Sequence, residues 1–143
     1  MPKIFALCAL AVATVLGGAL AEDKPTKAEV GATAAKMAYK NVDAEAFDKL
    51  RKSEKDAVLL DVRTRKEYEE GHIPGAVLID ITSNDFDKQV AKLDKKKTYL
   101  VHCAAGVRST RACKKMGEAN FSKLFNLEGG MGAWEKAGKP VEK

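Results

Sequence analysis

The stretch His102-Cys103-Ala104-Ala105-Gly106-Val107-Arg108-Ser109 holds the residues best placed to do chemistry. It follows the apolar run Tyr99-Leu100-Val101, which reads as a buried strand, and leads into a helical pattern. A turn of this kind aims several backbone N–H groups inward, beside the positive end of the following helix. That arrangement suits an anion. It also stabilises a thiolate, and can bring a cysteine pKa from about 8.5 into a range of roughly 3.5 to 7.5. Gly106 lets the backbone turn closely without a Cβ clash, and Arg108 adds a fixed positive charge. Ala104 and Ala105 are small enough to leave the sulfur reachable. The competing reading of Cys103 is a small, inert core residue. Its place directly after a strand, with glycine and arginine close behind, favours a nucleophile.

Such a loop needs a scaffold, and the flanking sequence supplies one. Asp43 caps a short helix through about Lys52 that buries Phe47 and Leu50. Ala57-Val58-Leu59-Leu60 is a continuous apolar run, the signature of a strand covered on both faces, and it ends in Asp61-Val62-Arg63. Thr64 to Glu67 reads as a capping box opening a helix through Tyr68, which Gly71 ends. Val77–Ile79 is a further buried strand, followed by a helix with Phe86, Val90 and Leu93 on one face. After Tyr99–His102 a helix is expected from about Ser109 to Gly117, then a strand at 123–127 and a helix at 131–137 carrying Trp134. Strands alternating with helices imply βαβ units, a mainly parallel sheet and right-handed crossovers. In such sheets ligands bind outside the carboxyl ends of the strands, where Cys103 lies.

The ends of the chain read differently. Lys3, the apolar run Ile4–Leu16 and the small-residue ending Gly17–Ala21 have the layout of a secretory signal peptide, with cleavage expected after Ala21. A retained anchor is the alternative, but the uncharged run of Ile4–Ala21 is at the short edge of what spans a bilayer. The expectation is therefore a secreted or periplasmic protein without stable membrane insertion. Residues 22–41, rich in Lys and Ala and weakly periodic, read as a linker or marginal helix, which leaves 42–143 as one domain. Removing Lys3 with the signal lowers the net charge from +5 to +4, and the lysines are scattered, so no nucleic-acid surface is expected. Mild basicity favours small anionic substrates. Outside the signal only Cys103 and Cys113 remain, too few for a disulfide framework in an oxidising compartment. Cys113 sits beside Ala112 and Met116 on the expected core face, which suits an inert buried thiol. A Cys103–Cys113 bridge needs Cα atoms within about 7 Å, and the intervening loop and helical turn argue against it. His72 and His102 lack a ligand cluster at recognisable spacing, so no metal site is expected, and no cofactor is called for.

Several separated motifs resemble one family. Asp61-Val62-Arg63, Glu67-Tyr68, Gly71-His72-Ile73-Pro74-Gly75-Ala76, the Cys103–Ser109 loop and Leu127–Trp134 together look like a rhodanese-type sulfurtransferase domain, with a match from about Val42 to Val141. The resemblance implies a doubly wound sheet of about five parallel strands with helices on both faces. It implies that Cys103 takes sulfane sulfur from a donor such as thiosulfate, carries it as a persulfide and yields it to cyanide or a thiol. By the same carry-over, the amides of Ala104, Ala105, Gly106, Val107, Arg108 and Ser109 form an anion cradle, with Arg108 as its cationic member. Asp61 and Arg63 brace the loop, and His72 is structural. A monomer is expected. One departure stands out: many thiosulfate-using relatives carry a basic residue directly after the cysteine, where this chain has Ala104. A weaker grip on thiosulfate, with a persulfide or polysulfide donor, is the corresponding expectation. Two rivals exist. Phosphatases of related fold place five residues between cysteine and arginine around a tetrahedral oxyanion, against four here. A non-catalytic module that binds a partner or senses oxidants is the other, and a redox pair with Cys113 resolving an oxidised Cys103 is a minor option beside them.

Overall fold

The computed structural model describes residues 38–143. The signal-peptide reading of residues 1–21, and the linker reading as far as residue 37, lie outside the described residues. In chain order the elements are β1 (Tyr39–Val42), α1 (Ala44–Ser53), β2 (Val58–Asp61), α2 (Arg65–Glu70) and β3 (Val77–Leu78). They continue with α3 (Phe86–Ala91), β4 (Tyr99–His102), α4 (Val107–Glu118), β5 (Leu124–Leu127) and α5 (Gly130–Lys136). The strands form one parallel sheet in the order β1-β5-β4-β2-β3. The parallel α/β sheet is thus the architecture that the alternating pattern called for, and its five strands with helices on both faces are what the family resemblance implied.

Neighbouring side chains on the central strands point to opposite faces and so serve two cores. Leu60, Val101 and Leu124 pack on one face with Phe86 and Val90 of α3 and Ala112, Cys113 and Met116 of α4. Leu59, Leu100 and Leu127 pack on the other with Ala44 and Phe47 of α1 and Met131 and Trp134 of α5. That two-sided burial is why β2 and β4 read as unbroken apolar runs. The helix starts follow their caps. Asp43 accepts from the Ala46 amide at 2.8 Å, and Thr64 with Glu67 forms the reciprocal capping box of α2.

One segment differs from the sequence reading. Tyr39–Val42 is a strand, paired in parallel with β5, although residues 22–41 read as linker or marginal helix. Its polar Lys40 and Asn41 carry no strand signature, because β1 is an edge strand with only Tyr39 buried. Pairing with β5, and the 2.9 Å hydrogen bond from the Asn126 side chain to that of Asn41, specify it. Local propensity contributes little there.

Strand order also decides where a site can form. The connection after β2 runs outward to β3, whereas the connection after β4 runs the other way to β5. The crevice between the carboxyl ends of β2 and β4 is therefore a topological switch point. Asp61 and His102, the last residues of those strands, are register partners there, and Cys103 follows immediately.

Candidate active site

Cys103 leaves β4 into a loop that Gly106 closes. Gly106 adopts φ +96, a left-handed conformation that disfavours any side chain, and is the N-cap of α4. The helix therefore starts at Val107, two residues before the expected Ser109, and Arg108 and Ser109 belong to its first turn. The Gly106 amide donates to Sγ of Cys103 at 3.0 Å, and the Ser109 hydroxyl lies 3.4 Å from the same sulfur. That hydroxyl also approaches the Gly106 carbonyl oxygen at 3.1 Å. It has one proton to give, and a thiolate is the stronger acceptor.

Burial by itself pushes the Cys103 thiol up. The Ser109 hydroxyl and the amides of Ser109, Ala105 and Gly106 overcome that and leave its pKa below the ordinary value. The sulfur is not open to solvent as expected from Ala104 and Ala105: Cys103 is only 1% exposed. The loop folds over it while the backbone at the start of α5 closes from behind. Cys113, fully buried in the same core cluster, is pushed up to about 12 by burial, with the nearby Cys103 charge adding to it. Both cysteines are free thiols. Ser109→Ala is expected to move the acid limb of Cys103 alkylation to higher pH, since only the thiolate reacts and its chief hydrogen-bond donor is lost. Iodoacetamide labelling followed by peptide mass mapping from pH 5 to 10 measures this, with Cys113 staying unlabelled.

The back wall was not legible as such. The Met131 amide donates to the Cys103 carbonyl at 2.8 Å and the Gly132 amide to the Ala104 carbonyl at 3.2 Å. Such contact needs a backbone with no side chain in between. A Cβ on Gly130 would overlap the Cys103 carbonyl oxygen and lie 2.7 Å from the Ala104 carbonyl, and Gly130 also has φ +57. The Gly-Gly pair after β5 reads locally as a turn; only the fold brings it under the cysteine.

Arg108 has a partner that spacing does not reveal. Its two terminal nitrogens meet the two Glu67 oxygens at 2.8 and 2.6 Å, a bidentate pair. Glu67 also accepts from the Thr64 amide and hydroxyl, so the cap of α2 and the cradle arginine share one carboxylate. The Arg108 guanidinium, helped by Thr64, holds that carboxyl down at about 2 despite partial burial. The sequence reading gives Glu67 a capping role and a place in the Glu67-Tyr68 motif, but no contact with Arg108.

Asp61 and Arg63 brace a different loop from the one expected. The Arg63 guanidinium grips Asp61 at 2.6 Å and donates to the Gly71 carbonyl at 2.8 Å. It makes no hydrogen bond to residues 103–109 among the described residues. It thus ties the end of β2 to the turn after α2, and Asp61 lies next to β4 through strand pairing. His72 is a structural residue: its ring stacks on Tyr68 at 3.9 Å, and its backbone bridges to Glu142.

His102 is fully buried, with its nearer ring nitrogen 3.6 Å from Asp61, too far for a hydrogen bond. Neither ring nitrogen has a hydrogen-bond partner among the described residues. Burial pushes its pKa down to about 4, against a partial upward pull from Asp61. The unfolded chain, with a histidine near 6.5, binds this proton more readily than the folded one. The contribution of His102 is therefore intact above pH 6.5 and drains away as pH falls toward 4. His102→Leu is expected to flatten the fall in Tm over that window, as measured by calorimetry at half-unit pH steps.

Among the described residues no three metal-ligating side chains cluster, and no helix is long and apolar enough to cross a membrane.

Residues 43–137 match the family model for the rhodanese-like domain. The chain is 38% identical over 104 residues to "Putative sulfurtransferase YtwF" of Bacillus subtilis, covering 73% of this chain and 98% of that protein. It is 32% identical over 100 residues to the thiosulfate sulfurtransferase GlpE of Coxiella burnetii, covering 69% of this chain and 90% of GlpE. The crystal structure of a rhodanese-related protein from Thermoplasma volcanium superposes with TM-score 0.64 at 28% identity, covering 73% of this chain and 98% of the other. The chain therefore belongs to the rhodanese-like family, and it stands among that family's sulfurtransferases.

Proposed function

We propose that this protein moves sulfane sulfur through a persulfide on Cys103, from thiosulfate or a persulfide donor to cyanide or a thiol. The Cys103 thiolate attacks the terminal sulfur of the donor. A new S–S bond forms as the donor's S–S bond breaks, and the electron pair leaves with sulfite or a thiolate. In the second half the acceptor attacks the outer sulfur and Cys103 leaves as the thiolate. No net oxidant is needed, and the same hydrogen-bond donors serve both halves. They hold the thiolate at rest and the negative outer sulfur in the intermediate.

The observation that carries this reading is the sulfur itself: an amide at 3.0 Å and a hydroxyl at 3.4 Å converge on it at the end of β4. A buried thiol serving only as core filling has no use for them. The signal-like Ile4–Ala21 run supports a periplasmic or secreted site of action. A redox-sensing pair draws no support from Cys113, whose thiol is held protonated up to about pH 12.

Intact-mass measurement tests the proposal. Thiosulfate or an alkyl persulfide should add about 32 Da, one sulfur atom, and cyanide should remove it again. An unmodified mass after both donors refutes it.

A further inference from the structure

We infer that Glu67 sets the charge preference for the sulfur donor by cancelling Arg108, so that the site favours sulfane donors of lower negative charge over thiosulfate. This rests on the sulfur-transfer reading above and adds to it the class of donor.

The cradle around Cys103 consists of neutral dipoles, the Gly106 amide and the Ser109 hydroxyl among them. From Cys103 to Thr110 the chain carries one cation, Arg108. A free guanidinium there would attract a dianion strongly, and the Cys103 charge is close enough to Arg108 to raise its pKa beyond what Glu67 already does. Arg108 is not free. Both of its terminal nitrogens are engaged by Glu67, and the two side chains are 27% and 30% exposed. The Glu67 carboxylate lies directly against that guanidinium, so it repels an incoming anion and offsets the pull of Arg108. Arg111, the next cation along α4, is exposed and one turn further on. Residues 103–110 thus carry no second cation to offset the second charge of a dianion.

A structural role for Glu67 exists as well, in the capping box of α2. Glutamine serves that position equally well. Glu67→Gln therefore keeps the cap through its amide oxygen and removes the charge together with one of the two acceptors that Arg108 uses.

Two donors present the same sulfane sulfur at different charge. Thiosulfate is a dianion; methanethiosulfonate replaces one oxygen with a methyl group and is a monoanion. Each gives its terminal sulfur to the Cys103 thiolate, with sulfite or methanesulfinate leaving on the electron pair. The readout is the ratio of kcat/KM for methanethiosulfonate to that for thiosulfate, which folding defects do not shift. Glu67→Gln is expected to move this ratio toward thiosulfate by roughly fivefold or more at low salt, and less at high salt. Arg108→Gln leaves the carboxylate alone and should move it the opposite way; this variant decides the matter if Glu67→Gln fails to fold. Wild-type ratios in both variants, with sulfur transfer intact, overturn the inference and leave the sulfur-transfer reading standing. Uptake of sulfur by the wild type from neither donor overturns that reading instead.

Discussion

Cys103→Ser is expected to lower sulfur transfer by at least roughly a thousandfold in kcat/KM, the scale on which removing a covalent nucleophile acts. A serine hydroxyl ionises far less readily than a thiol, and it forms no stable bond to sulfane sulfur under these conditions. The fold should survive. Serine is smaller than cysteine, fits the same buried space and still accepts from the Gly106 amide, which sits 3.0 Å from the sulfur. Far-UV circular dichroism and the thermal midpoint separate a chemical loss from unfolding. A steady-state cyanide assay then gives the rate. Serine protein that is folded and turns over like the wild type would show that the sulfur is carried elsewhere.

Gly130→Ala should be the most damaging single change outside the cysteine. The new methyl meets the Cys103 carbonyl oxygen and the Ala104 carbonyl, both backbone groups that cannot rotate away. The residue must also hold φ +57 with a side chain. Either α5 moves out or the cysteine loop moves in, and both break the bonds from the amides of Met131 and Gly132. A cost of about 2–4 kcal/mol follows from strain and clash together. Activity should fall about a hundredfold even in folded protein, because a shift of about 1 Å is enough to misalign the cradle. Gly132→Ala is the control. Its Cβ finds only the Ala104 carbonyl oxygen at 3.8 Å, an ordinary contact, so it should be neutral or slightly stabilising in a helix. Urea denaturation with the cyanide assay measures both variants. Equal behaviour of the two would remove the back wall from the account of the site.

These variants separate what is local from what is not. The strand-loop-helix segment around Cys103 was legible because its determinants are contiguous. An apolar run covered on both faces, a glycine able to take φ +96 and a helix start suffice to predict inward amides. The capping box at Thr64–Glu67 and the cap at Asp43 were equally local, each decided by side chains reaching three residues along. Strand β1 was not legible, since its pairing energy comes from β5, some 85 residues later in sequence. Edge strands with polar residues have little intrinsic preference to betray them.

By itself, then, the amino-acid sequence determined the alternating elements, the thiol at a strand end and the family to which its motifs point. Periodicity, caps and turn glycines act over a few residues and survive in a linear reading. Tertiary structure alone decided which partners complete the site. Glu67 reaches Arg108 across 41 positions, Arg63 turns to Gly71 and away from the cysteine loop, and α5 closes behind Cys103 only because β5 lies beside β4. Such contacts depend on strand order and on the direction of each crossover, and no short-range pattern in the chain encodes the resulting neighbours.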